Sequence, residues 1–341
     1  MESITIPSDV TSIGYGTFSG CTSLESVNII SNLTSIGRES FFNCKNLTSI
    51  VLPSSVSTIG TKAFQNCESL TSINIPSSVT LIDAYTFDGC SSLKTVNIST
   101  NAATLGQYAF SNCKSLPSIT IPSSVTSIES YAFQGCESMT SITIPPNVTS
   151  VNDFTFKGCI SLTTVNFTSN LTTIGKSAFY NCKNLTSIII PSTVATINTS
   201  AFENCESLSS IIIPSSISQI ESRIFYGCTN LKTVSFSSNL TAIGNNAFAR
   251  CRSLTSITIP FSVTQISNGA FSQCESLVSI TIPSSVTTIS GTTFFGCTSL
   301  KTVNVTSNLT TIGFSAFEGC KNLSSIILAS MAFMTVVTLS Q

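Results

Sequence analysis

The chain has 341 residues, of which 42% are hydrophobic and only 9% are charged, and its net charge is -1. It contains no histidine, so the side chain best suited to proton transfer near neutral pH, and the usual base for a nucleophilic serine or cysteine, is missing. This charge content excludes the basic surface of a nucleic-acid-binding protein and a polybasic membrane patch. We therefore expect no enzymatic activity, no cofactor, no nucleic-acid partner and no small-molecule substrate.

The cysteines recur at a constant interval of 23 residues. A leucine follows each cysteine by three positions, with Met139 as the one exception, and a phenylalanine precedes each cysteine by three. A fixed period of this length predicts a solenoid of stacked coils. The cysteines are Cys21, Cys44, Cys67, Cys90, Cys113, Cys136, Cys159, Cys182, Cys205, Cys228, Cys251, Cys274, Cys297 and Cys320.

The repeat also bounds the domains. Length alone would suggest about two domains, but no linker or shift in composition interrupts the repeat. We predict one solenoid over residues 1–328, followed by a divergent apolar tail or cap at 329–341. A longer period of 69 residues lies over the first, because segments without proline begin at Ile30, Ser99, Thr168, Ser237 and Thr306.

Each coil begins with a predicted strand. The segment MTSITI, residues 139–144, has apolar residues at its first, fourth and sixth places with polar residues between them. Strands from successive coils would form a parallel sheet with a spacing of about 4.8 Å. Proline follows the strand in most coils and would end it, because proline cannot donate to the sheet.

The second half of the coil predicts a short helix or helical turn. Apolar residues at Ile128, Ala132, Phe133 and Cys136 share one face of a helix. The residue before the cysteine is Gly or Asn in twelve of fourteen coils, which predicts a positive φ there. Because a helical turn is wider than the strand spacing, we expect a curved stack with the strands on its concave face.

The unit IPSSVTSIxxxAFxGCxSLTS resembles the BspA-like branch of the leucine-rich repeats over residues 3–328. The resemblance implies an α/β-type repeat solenoid, a curved array of about 14 coils with a parallel concave β-sheet and short helical turns on the convex side. It also implies a cell-surface protein of a microbe or protist that adheres to host matrix proteins or other cells. The amino-terminal sequence MESITIPSDV lacks the features of a secretory signal, and no wall-sorting motif is present.

Two functional hypotheses follow: a surface adhesin that binds a host or neighbouring-cell protein through the concave face, or an intracellular scaffold for protein interactions that uses the same face. Strand positions four, five and seven after each cysteine would line that face. The seventh position varies among constant hydroxyl residues, which is typical of a binding surface and equally of drift on an exposed strand. In the central coils the candidates are Thr140, Ser141, Thr143, Thr163, Thr164, Asn166, Thr186, Ser187 and Ile189.

The cysteines favour buried free thiols, because they lie among apolar positions where cysteine acts as a small hydrophobe. Stacked disulfides are an alternative, since neighbouring coils lie within disulfide range. A metal site is a weaker one, because the chain has no histidine and no CxxC pair.

Charged residues beside the cysteines alternate between neighbouring coils. The pairs are Lys45 with Glu68, Lys114 with Glu137, Lys183 with Glu206, and Arg252 with Glu275. They predict a row of surface ion pairs that fixes the register of the coils, and a charged docking surface is the alternative.

The two ends of the array lack polar caps, so we expect possible self-association through them or a larger parent protein. The uncharged run from Ser324 to Gln341 could be a cap, a divergent last coil, the product of a truncated reading frame or, at the short limit, a membrane span.

Overall fold

The computed structural model describes residues 2–30, 32–99, 101–168, 170–236, 239–306, 309–329 and 334–338. The chain forms a parallel β-solenoid of about 14 turns, which divides into two compact units, Met1–Leu171 and Thr172–Gln341. All regular elements in the described ranges are strands.

Two kinds of strand recur along the chain, and the coils of Cys113, Cys182 and Cys251 contain only the shorter kind. Strands that begin five residues after a cysteine, or at the matching place in the first coil, span up to five residues, and a two-residue strand follows in the same coil. In the first unit the strands are β1 (Ser3–Ile6), β2 (Ser12–Ile13), β3 (Ser26–Ile29), β4 (Ser35–Ile36), β5 (Ser49–Ile50), β6 (Thr58–Ile59), β7 (Ser72–Ile75), β8 (Leu81–Ile82), β9 (Thr95–Ile98), β10 (Thr104–Leu105), β11 (Ser127–Ile128), β12 (Ser141–Ile144), β13 (Ser150–Val151) and β14 (Thr164–Phe167).

The second unit repeats this plan and ends differently. Its strands are β15 (Thr173–Ile174), β16 (Thr196–Ile197), β17 (Ser210–Ile212), β18 (Gln219–Ile220), β19 (Thr233–Ser235), β20 (Ala242–Ile243), β21 (Gln265–Ile266), β22 (Ser279–Ile282), β23 (Thr288–Ile289), β24 (Thr302–Val305), β25 (Thr311–Ile312), β26 (Ser325–Ala329) and β27 (Met334–Thr338). The last strand pairs antiparallel with β26. We find no helix among the described residues that is long and apolar enough to cross a membrane.

Parallel pairing follows the repeat, so each residue lies beside its equivalent 23 positions on. Ser141 pairs with Thr164 and Ile144 with Phe167, for example. The longer strands do not form one uninterrupted sheet within either unit. In the first unit they pair as β1-β3-β5, β7-β9 and β12-β14, and in the second as β17-β19 and β22-β24-β26-β27.

Proline explains these interruptions. Where the later coil lacks proline at the ninth position after its cysteine, the amide at that place bonds to the earlier coil: Thr168 N–H donates to the Ile144 carbonyl oxygen at 3.3 Å, and Thr306 N–H to that of Ile282 at 3.1 Å. Proline has no N–H to make this bond. Each described parallel pairing of three or four residues therefore runs to a coil without that proline.

The predicted helical turns on the convex side are wrong, because left-handed residues interrupt the chain there. The residue before each of the fourteen cysteines has φ between 56° and 78°, which confirms the predicted positive φ. The residue five before each cysteine also has a positive φ, and Tyr131 at 65° is one example. An α-helix requires consecutive right-handed residues, so apolar spacing alone misled the prediction.

Hydrogen bonds in these turns run in two directions. Ala132 N–H donates within its own coil to the Glu129 carbonyl oxygen at 3.2 Å, whereas Phe133 N–H donates to the Thr155 carbonyl oxygen of the next coil at 3.0 Å. Alternate amides thus close the turn and join neighbouring coils. A helix would direct all of these donors along its own axis and leave the coils unconnected.

The core consists of the cysteine, leucine and phenylalanine columns that the repeat predicts. Phe133 is fully buried, and its ring centroid lies 5.7 Å from that of Phe110 and 5.6 Å from that of Phe156. The rings are within 6° of parallel. Burial is incomplete at the terminal coils, where Cys21 and Cys320 are partly exposed.

Candidate functional site on the strand face

We define the strand face as the side chains at positions four to eight after each cysteine that point away from the core. The pleat of the strand produces this face, because successive side chains alternate between core and solvent. In β12, Ile142 and Ile144 are buried and Thr143 between them is exposed. The sequence-predicted site residues all belong to this face.

In the first unit the structure brings six candidates together. Thr140, Thr143, Thr163, Thr164 and Asn166 are exposed, and Ser141 is half-buried. The pairing of β12 with β14 places Thr143 beside Asn166. These neighbouring side chains form a polar, uncharged surface.

The three candidates of the second unit are Thr186, Ser187 and Ile189, and all are exposed. Residues 187–190 lie outside the assigned strands. Ile189 is 85% exposed, so a large aliphatic side chain stands in solvent without a packing role. In the next coil Ile212 occupies the equivalent position and is 72% exposed. This part of the face is apolar, whereas the part formed by Thr143 and Asn166 is polar.

Hydroxyls at the fourth position already serve the fold. Thr140 Oγ1 donates to the Pro117 carbonyl oxygen at 3.3 Å, and Thr163 Oγ1 donates to that of Thr140 at 2.9 Å. Their donors connect successive coils and are therefore already used. The fifth and seventh positions therefore have the greater capacity for recognition.

The thiols are structural. All fourteen cysteines are free, which confirms the prediction over the disulfide alternative. Twelve of the thiols donate to a phenylalanine carbonyl oxygen 26 residues earlier, as Cys136 Sγ does to Phe110 at 3.2 Å. Burial raises the pKa of Cys159 to about 12. No cluster of three potential metal ligands occurs among the described residues.

The predicted ion pairs also form. The nitrogen to oxygen distance is 2.9 Å between Lys45 and Glu68, 3.0 Å between Lys114 and Glu137, 3.1 Å between Lys183 and Glu206, and 3.2 Å between Arg252 and Glu275. Each side chain is about half exposed. This geometry fits a register-fixing row, since exposed pairs contribute roughly 0 to 1 kcal/mol each.

Sequence reasoning missed a ladder of surface rings in the first unit. Tyr85, Tyr108, Tyr131 and Phe154 stack with centroid separations of 4.7, 4.4 and 4.7 Å. All four have positive φ. The signal was present in the sequence, because aromatic residues recur at the repeat period five positions before four successive cysteines.

It also missed three lysines at the fourth position of the strand face: Lys94 in the first unit, and Lys232 and Lys301 in the second. The ion pairs of the described residues do not include them. Lys232 and Lys301 are 69 residues apart, a spacing that the longer period could have revealed.

A parallel solenoid whose coils each place a leucine, or Met139 in one coil, in the core just before the strand position defines a leucine-rich repeat protein. More specifically, the chain belongs to the family described as BspA type leucine-rich repeat region (6 copies), whose model matches residues 1–117, 104–232 and 218–335. No curated protein is significantly similar to the chain in sequence.

Several solved structures have a similar fold. A leucine-rich repeat protein from Bacteroides ovatus is 31% identical with a TM-score of 0.75, and the match covers 95% of this chain and 86% of that one. A leucine rich cell surface protein from Faecalibacterium prausnitzii is 29% identical with a TM-score of 0.54, over 97% of this chain and 89% of that one. A leucine-rich repeat protein from Eubacterium ventriosum, at 22% identity with a TM-score of 0.53 over 94% and 91% of the two chains, shows the fold alone.

Proposed function

We propose that this protein is a non-enzymatic, surface-displayed adhesin that binds a host or neighbouring-cell protein through its strand face. The observation that carries the proposal is the chemistry of positions five and seven. The side chains of Thr143, Thr164 and Asn166 are exposed in the first unit and make no hydrogen bond to another described residue. Their donors and acceptors are free for a partner, while the core side chains are fully used in packing.

The comparisons support this proposal at two levels. Leucine-rich repeat proteins in general bind other proteins, and the relative from Faecalibacterium prausnitzii is described as a cell surface protein.

We further propose that residues 1–328 act as one solenoid domain and that 329–341 form its terminal cap. The strand pairing of β27 with β26 supports the cap.

Adhesion is tested with fluorescently labelled protein on intact cells, before and after protease treatment of the cell surface. We expect protease treatment to abolish binding. One variant replaces Thr143 and Asn166 with arginine, and another replaces Ile189 with arginine. Both should weaken binding by steric exclusion and added charge. Lys114→Gln is the matched control, because it alters an exposed side chain away from the strand face. Full binding by both arginine variants, with loss in the control, would assign the site to the charged row instead.

Display on the cell surface is a separate measurement. Antibody staining of intact producing cells should equal staining of permeabilised cells. Staining only after permeabilisation would contradict surface display and favour the intracellular scaffold.

A further inference from the structure

The strand face of the second unit contains a cleft beside β19. Its volume is about 730 Å³, which is within the usual range of ligand sites. Its lining includes Phe236, Pro260, Phe261 and Pro283, together with Thr258 and Thr281. The lining is mostly apolar, so water there is readily displaced by an apolar side chain.

One residue of this cleft departs from the repeat. Phe261 occupies the place directly after the strand proline, where the equivalent residue is Ser54, Ser77, Ser123 or Ser192 in other coils. It is 80% exposed, so its ring does not contribute to the core. An exposed phenylalanine in place of serine has no role in coil stacking and widens the apolar wall of the cleft.

The main chain beside the cleft is also unsatisfied. Residues 256–259 lie between β19 and β22 and belong to neither sheet. No hydrogen bond joins the backbone groups of Ser256, Ile257, Thr258 or Ile259 to another described residue. Stacked coils lie on both sides of this segment, since the ring of Phe248 is 5.4 Å from that of Phe225 and 5.6 Å from that of Phe271. An added strand has no room between them, so a ligand meets the side chains that line the cleft.

The charge of the strand face in the second unit indicates the charge of the partner. From Ser209 to Val305, strand positions four to eight contain two lysines, Lys232 and Lys301, and no carboxylate. Lys232 is exposed, has no ion-pair partner in the described part of the chain, and stands two residues before Val234 of the cleft. Elsewhere most cations have partners: Lys183 and Arg252 pair with glutamates, and so does Arg223. An unpaired cation beside an apolar cleft is complementary to a carboxylate.

We propose that this cleft binds an extended acidic peptide segment of a partner protein. A large aliphatic or aromatic side chain packs against Phe236 and Phe261, and a carboxylate meets Lys232. Lys232 and Phe236 are four residues apart along the strand, which corresponds to roughly 13 Å. The acidic and apolar residues of the peptide therefore lie about four positions apart. This proposal rests on the proposed function, because it assigns a partner chemistry to the same face.

The probe is a phage-displayed library of random linear peptides selected on the intact protein. We expect the enriched peptides to share an Asp or Glu about four positions from Leu, Ile or Phe. A synthetic peptide of the enriched sequence then gives the Kd for each variant by fluorescence anisotropy. Enrichment of peptides without a carboxylate, or no enrichment, would overturn the proposal.

The variants restore residues that the repeat itself uses, so they preserve the fold. Phe261→Ser and Lys232→Thr recreate the equivalents Ser192 and Thr163. Each should raise the Kd roughly tenfold, the equivalent of about 1.4 kcal/mol. Lys301→Thr makes the same chemical change one block away and should leave the Kd within about twofold. Equal binding by all three variants would overturn the assignment.

Two further readouts separate the possible failures. If sedimentation shows that the wild-type protein self-associates and Phe261→Ser abolishes this, the occupant is a second copy and the peptide proposal is wrong. If the peptide binds as expected but the protein does not bind cells, the cleft stands and the adhesin function fails. If the Thr143 and Asn166 variant loses cell binding but Phe261→Ser keeps it, the strand-face function stands and the cleft assignment fails.

Discussion

Cys159 Sγ lies 3.2 Å from the carbonyl oxygen of Phe133, to which its thiol donates a hydrogen bond. The same carbonyl accepts the amide of Cys136 at 3.2 Å. One carbonyl thus connects the turn of its own coil to the thiol of the next, which explains why cysteine, and not alanine, recurs at this place. A serine side chain places its donor atom at a shorter bond length from Cβ than cysteine does, and alanine has no side-chain donor.

Alkaline pH should destabilise the protein through this column. Burial raises the pKa of Cys159 from 9.0 to about 12, so the folded state retains the neutral thiol where the unfolded chain has lost its proton. The stability that the buried thiol contributes is complete below pH 9 and is lost as pH rises toward 12. Urea unfolding at a series of pH values should show this fall.

Cys159→Ala is the control for that prediction. It should lower the free energy of unfolding by about 1 to 2 kcal/mol at neutral pH, through loss of one hydrogen bond and some packing. Above pH 9 its stability should fall less steeply than that of the wild type, by up to about 1.4 kcal/mol per pH unit. Identical slopes would show that Cys159 ionises normally in the fold.

The phenylalanine stack should dominate mutational sensitivity. Phe133→Ala removes a fully buried ring between two stacked neighbours and should cost about 3 to 5 kcal/mol. Phe261→Ala changes the same residue type at an 80% exposed position and should alter stability by no more than about 0.5 kcal/mol. Chemical denaturation followed by circular dichroism measures both. Similar losses would contradict the assignment of Phe133 to the core and Phe261 to the surface.

The ion pair between Lys114 and Glu137 should contribute little. Both side chains are about half exposed, so solvent screens their attraction. A double-mutant cycle with Lys114→Gln and Glu137→Gln should give a coupling energy below about 1 kcal/mol that falls in high salt. A larger, salt-independent coupling would point to a buried interaction that the structure does not contain.

Hydrogen exchange should reveal the interruptions in the sheet. Amides of residues 164–168 should exchange slowly, because β14 pairs with β12 and Thr168 N–H bonds to Ile144. Amides of 118–121 should exchange quickly, because they lie outside the sheets. Pro122→Thr would supply an N–H opposite the Ile98 carbonyl oxygen and should slow exchange at 118–121. Unchanged exchange in this variant would show that proline does not cause the interruption.

The sequence alone determined the period, the columns and the family. The residue types at Phe133, Cys136 and Met139 recur every 23 residues. Each coil can bury these apolar residues only if equivalent residues of neighbouring coils stack, so parallel pairing and a common core follow directly. The ion pairs and the positive φ before each cysteine follow for the same reason. Both depend on the residue type at one position and on its equivalent in the next coil.

Only the tertiary structure decided how the coil closes and which surface groups stay free. The apolar spacing of Ile128, Ala132 and Phe133 fits a helix, but stacking favours left-handed residues such as Tyr131, because alternate amides can then bond to the next coil. The use of Thr140 and Thr163 hydroxyls between coils, and the unpaired backbone of 256–259 beside Phe261, are likewise results of three-dimensional contacts. A repeat pattern specifies which residues are neighbours, whereas hydrogen-bond geometry between whole coils decides which of their groups remain available to a partner.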